Sequence, residues 1–129
     1  MNPSILIVDD EPMTRNLLRL MLERAGFRIL EAEDGLQALK VVAAQSPDLL
    51  ILDVMMPNMD GITVCETLRA EAETAVLPVI LLSARTSSEA VRLGLAAGAD
   101  RYLSKPISRE ELIRNIHEVM QGIPSQFGD

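Results

Sequence analysis

No stretch of this sequence approaches the roughly 18 consecutive apolar residues that a membrane span needs. Yet 48% of its 129 residues are hydrophobic, enough for a proper buried core. The length leaves no room for a second domain of ordinary size. Cysteine is nearly absent: a lone Cys65 excludes an internal disulfide framework and fits a reducing, cytoplasmic setting, where it reads as a small buried residue. Basic residues are outnumbered, and the net charge of -7 argues against a phosphate-backbone partner, since nucleic-acid binding draws on clustered Lys and Arg. The single histidine, His117, has no Cys or His partner at metal-ligand spacing and reads as a solvated side chain. Met1 leads into Asn2-Pro3-Ser4 without a basic stretch or a small-residue cleavage site, so no signal peptide is expected. Internal repeats and low-complexity segments are also missing. Neither GxxxxGK followed by Ser or Thr nor GxGxxG occurs, so a nucleotide is not the expected substrate.

What is present is an alternation of short apolar runs and helical periods. Ile5-Leu6-Ile7-Val8, Leu49-Leu50-Ile51-Leu52 and Val79-Ile80-Leu81-Leu82 are wholly apolar and read as strands buried on both faces of a parallel sheet. Arg28–Ala32 and Ala99–Leu103 carry polar residues and read as less buried strands. The first helix opens at Pro12, runs on the period Met13, Leu17, Leu20, Met21, Ala25, and stops at Gly26. A second runs from Asp34-Gly35 to about Gln45, and a third from Gly61 to about Glu71. Thr86-Ser87-Ser88-Glu89 and Ser108-Arg109-Glu110-Glu111 have capping-box spacing for two more. The last helix carries the stripe Leu112, Ile113, Ile116, Val119, Met120, and Gly122-Ile123-Pro124 ends it.

Five βα units imply a doubly wound α/β fold, with a five-stranded parallel sheet and helices on both faces. The wholly apolar strands belong at its centre and the two with polar residues at its edges. That arrangement is the flavodoxin-like order 2-1-3-4-5.

In such a sheet all strand C-terminal ends lie along one edge, where ligands bind. Asp9 and Asp10 follow the first strand, Asp53 ends the third, Ser83 ends the fourth and Lys105 follows the fifth. Crowded carboxylates repel, and a hard divalent cation such as Mg²⁺ relieves that repulsion through oxygen ligands. A carboxylate can also act as nucleophile toward a phosphoryl group. Mg²⁺, the Lys105 ammonium and the Ser83 hydroxyl would then offset the charge of the transferring group.

Taken in order, Asp9-Asp10, Asp53 with Met56-Pro57 and Asp60-Gly61, Ser83-Ala84 and Lys105-Pro106 resemble the receiver domain of two-component response regulators, from Ser4 to Gln121. The resemblance implies that Asp53 accepts a phosphoryl group from a sensor histidine kinase or a histidine phosphotransfer protein. It implies that Asp10, Asp53 and the Met55 backbone carbonyl ligate Mg²⁺, with Asp9 acting through water or second-sphere contacts. It implies that Ser83 and Lys105 hold the phosphoryl oxygens, that the Lys105–Pro106 bond is cis, and that Tyr102 is a switch aromatic coupled to Ser83. The output surface would be helix four, strand five and helix five, presented to a downstream protein or output domain. The resemblance further implies a monomer or weak phosphorylation-dependent dimer, with no direct nucleic-acid or membrane binding by this segment. Residues 1–122 would be the receiver and residues 123–129 a tail or the start of a linker.

Met55 and Arg85 flank the approach of hydrolytic water in this family, and they suggest a phosphorylated state that is not especially short-lived. Two other functions compete. A Mg²⁺-dependent phosphatase with an aspartyl nucleophile would want a second Asp at the position of Met55, as acid or base. A pseudo-receiver acting by protein contact alone would not need the acceptor, metal and lysine positions that are all filled here.

Overall fold

The computed structural model describes residues 2–124. Its elements alternate as β1 (Ser4–Val8), α1 (Pro12–Arg24), β2 (Arg28–Ala32), α2 (Gly35–Gln45), β3 (Leu49–Asp53), α3 (Gly61–Ala70), β4 (Val79–Ser83), α4 (Ser88–Ala96), β5 (Arg101–Ser104) and α5 (Arg109–Met120). All strand pairs are parallel, in the order β2-β1-β3-β4-β5. The polar content of the edge strands and the apolar content of β1, β3 and β4 place them as expected.

Alternation of side chains divides the core into two layers. Ile5, Ile7, Leu49, Ile51, Ile80 and Leu82 meet α1 and α5 through Leu18, Leu22, Leu112 and Ile116. Leu6, Val8, Leu50, Leu52, Val79 and Leu81 face the other way, against Ala38, Val42, Val64, Cys65, Leu68 and Ala97 of the remaining helices and the end of α4. Each fully buried Leu or Ile contributes roughly 1.5–3 kcal/mol of transfer free energy, so both faces of the central strands hold the sheet in place. Among the described residues no helix is long and apolar enough to cross a membrane.

Three local expectations are corrected. On α1 the buried residues are Leu18 and Leu22, while Met13, Leu17 and Leu20 are 80%, 55% and 49% exposed. Two apolar stripes overlap on this helix, and the one with neighbours a turn apart at Leu18 and Leu22 packs on the sheet. The α4 cap is Ser87, whose hydroxyl accepts from the Ala90 N–H, rather than Thr86. Finally, β5 begins at Arg101 instead of Ala99. Asp100 is drawn sideways, its carboxylate accepting from the Val79 N–H at 2.8 Å.

The end of α5 is tied down. The buried Arg101 guanidinium donates to Asn115 Oδ1 (3.1 Å), Glu118 Oε1 (3.0 Å) and the Ile123 carbonyl (2.9 Å). Of the expected tail at 123–129, Ile123 and Pro124 are therefore in contact with the body of the fold. Residues 125–129 lie outside the described residues.

Candidate functional site

The register fixes which side chains meet at the carboxyl edge. Val8 pairs with Leu52, and Asp53 pairs with Leu82, so Asp9 and Asp53 leave adjacent strands at the same level. Ser83 pairs with Ser104, which brings Lys105 to the same edge from the far side. Oxygens of Asp9, Asp10 and Asp53 all lie within 4.8 Å of one another. Asp9 and Asp53 are buried and Asp10 is exposed, so the cluster opens to solvent on the Asp10 side.

One cation serves the buried pair. Lys105 Nζ lies 2.9 Å from Asp9 Oδ2 and 3.2 Å from Asp53 Oδ2. The second oxygen of each carboxylate is held by backbone: Asp9 Oδ1 accepts from the Glu11 N–H at 2.9 Å, and Asp53 Oδ1 from the Met55 N–H at 3.2 Å. Arg15 Nη1 donates to the Asp9 carbonyl at 2.6 Å, while its Nε pairs with Glu31 on β2. The loop after β1 is thus anchored to the neighbouring strand. That anchor escapes a reading of the sequence, because it joins residues 16 apart through a helix face and a strand edge.

Burial pushes the Asp53 carboxyl above the usual carboxylate range. The Lys105 charge and the Met55 N–H pull it back, Asp9 pushes it up again, and the net is upward. Burial alone would lower Lys105, but its bond to Asp9 and the charges of Asp53 and Asp9 outweigh that, and it too moves up. The two directions look contradictory for one ion pair, since a plain pair would lower the carboxyl. They agree once the stoichiometry is counted: the ammonium enjoys two carboxylates, whereas Asp53 shares one ammonium with Asp9 and is short of positive charge.

That shortage is the observation against which a metal can be tested. The three carboxylates present hard oxygen donors, the donor set that Mg²⁺ prefers, so Asp9, Asp10 and Asp53 fit a divalent cation by chemistry and by spacing.

The remaining site residues surround this cluster. Ser83 is fully buried, its Oγ accepting from the Arg85 N–H at 3.0 Å, and its carbonyl accepts from the Lys105 N–H at 2.9 Å. The Lys105–Pro106 peptide is cis. Tyr102 is half-buried, and its hydroxyl donates to the Arg85 carbonyl at 2.6 Å. Met55 is 51% exposed. Together with Arg85, Asp10, Val54, Met56, Pro57 and Asp60 it lines the cavity at the mouth of the acidic cluster. Cys65 is buried away from the site, and His117 is exposed.

A doubly wound sheet with an acidic, lysine-bridged cluster at the switch point of strand order defines a flavodoxin-like α/β domain with a candidate ligand site at its carboxyl edge. Within that class the assignment is specific. Residues 5–117 match the response regulator receiver domain family, and the chain belongs to it. It is 40% identical over 94% of its length to the alkaline phosphatase synthesis transcriptional regulatory protein PhoP of Bacillus subtilis, covering 50% of that protein. It is 42% identical over 94% of its length to the response regulator MprA of Mycobacterium tuberculosis, covering 52% of that protein. The chain therefore spans about half the length of these curated relatives.

Solved structures agree. A putative response regulator from Chloroflexus aurantiacus superimposes with a TM-score of 0.91 at 35% identity, over 94% of this chain and 99% of that one. The receiver domain of a sensor histidine kinase from Pseudomonas aeruginosa gives 0.87 at 30% identity, over 94% and 99%. That structure has a magnesium ion coordinated in its active-site cleft.

Proposed function

We propose that this chain is a phosphorylatable receiver in which Asp53 takes a phosphoryl group from a phosphohistidine donor. The observation that carries the reading is the charge deficit at Asp53, a buried carboxylate that shares one lysine with Asp9 and lies beside Asp10. In the transfer an Asp53 oxygen forms a bond to phosphorus while the phosphorus–nitrogen bond of the phosphohistidine breaks. The electron pair of that bond returns to the imidazole.

Asp10, Asp53 and the Met55 carbonyl are the groups that would hold Mg²⁺, with Asp9 acting through water; the Mg²⁺ of the P. aeruginosa relative supports this. When bound, Mg²⁺ supplies charge neutralisation and a position for a phosphoryl oxygen. The chain's own groups do the rest. Lys105 transfers its ammonium from the carboxylate to a phosphoryl oxygen. Ser83 Oγ already accepts from the Arg85 N–H, which leaves its own hydrogen free to donate to another.

Tyr102 then couples the Ser83 loop to the surface of α4, β5 and α5, where a downstream protein or output domain would bind. The donor would be a sensor histidine kinase or a phosphotransfer protein. The exposed Met13, Leu17 and Leu20 begin three residues after Asp10 and form an apolar surface for it beside the site. Response regulator receivers are signalling modules, and this one would catalyse only its own phosphorylation and dephosphorylation. Met55 offers no acid or base two residues after Asp53, which removes the phosphatase alternative. Met55 and Arg85 at the mouth of the site favour slow loss of the phosphoryl group.

Incubation with acetyl phosphate and Mg²⁺ tests this directly. The wild-type chain becomes labelled and Asp53→Asn does not, and labelling of Asp53→Asn at the wild-type rate would overturn the acceptor assignment. A label lost very rapidly from the isolated phosphoprotein with Mg²⁺ would refute the slow-loss reading alone.

A further inference from the structure

Gly94 sits inside the last turn of α4, and glycine is among the poorest helix formers. Its backbone is ordinary right-handed helix, so no turn or left-handed conformation calls for it. Space does. A Cβ at this position would lie 2.6 Å from Tyr102 Cδ2, 2.9 Å from Tyr102 Cε2 and 2.9 Å from Leu81 Cδ1. Leu81 and Tyr102 are register partners on β4 and β5, so the aromatic ring is laid across the strand pair and roofed by the bare backbone of α4.

The ring's placement matters because of what its hydroxyl reaches. Arg85 is held by both of its backbone groups: its N–H donates to Ser83 Oγ (3.0 Å) and its carbonyl accepts from Tyr102 (2.6 Å). Fixing the two peptide groups that flank the Arg85 Cα fixes the direction in which the buried Ser83 hydroxyl can present its hydrogen. With one lone pair committed to Arg85, that hydrogen is left for the site.

We propose that Gly94 is a positioning residue for the phosphoryl site: its missing side chain seats the Tyr102 ring, and the seated ring holds the Arg85 carbonyl, and with it the Arg85 backbone, so that Ser83 is prepared to donate. This inference rests on the phosphoacceptor reading above and deepens its regulation. The route runs from α4 through Tyr102 and Arg85 to Ser83, so anything that presses on α4 at Gly94 is felt at the site. Conversely, a group bound at Ser83 favours the seated ring.

The chain has one tyrosine and no tryptophan, so tyrosine ring labelling gives a single spin system that reports on Tyr102 alone. In the wild-type protein the ring shows nuclear Overhauser contacts to the Gly94 Hα and the Leu81 methyls. In Gly94→Ala those contacts are lost and the ring resonances move. Beryllofluoride with Mg²⁺ binds Gly94→Ala about threefold to tenfold more weakly, the scale of one lost hydrogen bond. Tyr102→Phe weakens it similarly, and the double variant is no weaker than either single one.

Unchanged ring contacts in Gly94→Ala, wild-type beryllofluoride affinity, or additive losses in the double variant would each overturn the proposal. Should Gly94→Ala fold poorly, Tyr102→Ser takes away the ring contacts and leaves only Leu81 Cδ1 at 2.9 Å. Gly94→Ala then lowers the melting temperature less in the Tyr102→Ser background than in wild type; an equal loss in both backgrounds counts against the ring as the constraint. If the wild-type chain itself does not bind beryllofluoride, the phosphoacceptor reading fails together with the coupling to the site. The ring contacts still decide whether Gly94 seats Tyr102.

Discussion

At the amino edge of the sheet, arginines are surrounded by acceptors; at the carboxyl edge, carboxylates outnumber their one cation. Arg69 donates to the carbonyls of Gly98 (2.9 Å) and Leu77 (2.7 Å) and pairs with Asp100 (3.2 Å), which joins the ends of α3 and α4 to the starts of β4 and β5. Arg101 does the same for the end of α5. Asp48 accepts from both the N–H (2.8 Å) and the hydroxyl (3.3 Å) of Ser4. Both arginines there have a carboxylate partner in addition to their backbone acceptors. Across the sheet, about 5 residues away along the strands, Asp9 and Asp53 share Lys105, and Asp10 crowds the same cluster. The same fold balances charge where it needs rigidity and leaves it unbalanced where it needs chemistry.

The largest effect comes from breaking the balanced edge. Arg101→Ala leaves Asn115 and the Ile123 carbonyl without their buried donor and Glu118 with only the longer, exposed ion pair to Arg114 at 3.9 Å. A loss of about 3 kcal/mol is expected, read from urea unfolding. Acetyl phosphate labelling of the fraction that remains folded stays within about twofold of wild type, because no contact of Arg101 reaches the acidic cluster. A variant as stable as wild type would show that the amino-edge network contributes nothing.

Filling the deficit comes next. Mg²⁺ at about ten times its dissociation constant stabilises by about 1.4 kcal/mol through binding to the folded state alone. The expected result is a rise in melting temperature on adding MgCl₂ that is lost in Asp10→Asn, an exposed site whose apo stability is close to wild type. An equal rise in Asp10→Asn would place the ion elsewhere.

Removing the deficit should also stabilise. A carboxyl whose folded pKa is raised gives its full contribution to stability below the unfolded pKa, and that contribution is lost as pH rises through the folded value. At neutral pH Asp53 is therefore a liability. Asp53→Asn is expected to be about 1 kcal/mol more stable than wild type in the absence of Mg²⁺. The gap closes below about pH 4, where Asp53 is protonated in both states. Urea midpoints measured across pH check the sign, and a gap that widens on acidification would contradict the upward shift.

These contrasts also show what the sequence could reveal. The strand order was legible because burial on two faces demands uninterrupted apolar runs, as in Leu49–Leu52, whereas Arg28 and Glu31 mark an edge. The gathering of Asp9, Asp10, Asp53, Ser83 and Lys105 was legible because each ends or closely follows a strand, and parallel strands end together. The amino-edge clamps were not. Arg101 reads in sequence as a polar residue of an edge strand, and its partners lie 14 to 22 residues away on another element. The α4 cap was missed by one residue because Thr86 and Ser87 offer equivalent hydroxyls, and only the Ala90 N–H chooses between them. Gly94 was silent for a different reason: its meaning lies in a ring on another element, and sequence carries no record of that contact.

The smallest effect on stability separates the two faces of α1. Leu18 and Leu22 are buried against the sheet, whereas Leu17 stands in the outward stripe with Met13 and Leu20. Leu17→Glu should shift the unfolding free energy by less than about 0.5 kcal/mol, since it neither opens a cavity nor buries a charge. Labelling by acetyl phosphate, a small donor that needs no protein surface, should be unchanged. Transfer from a phosphorylated histidine protein should slow about tenfold, because a charge now stands where an apolar helix face would dock. Equal rates from both donors would leave the stripe as an ordinary exposed surface, whereas loss of both would mean that Leu17 supports the site itself.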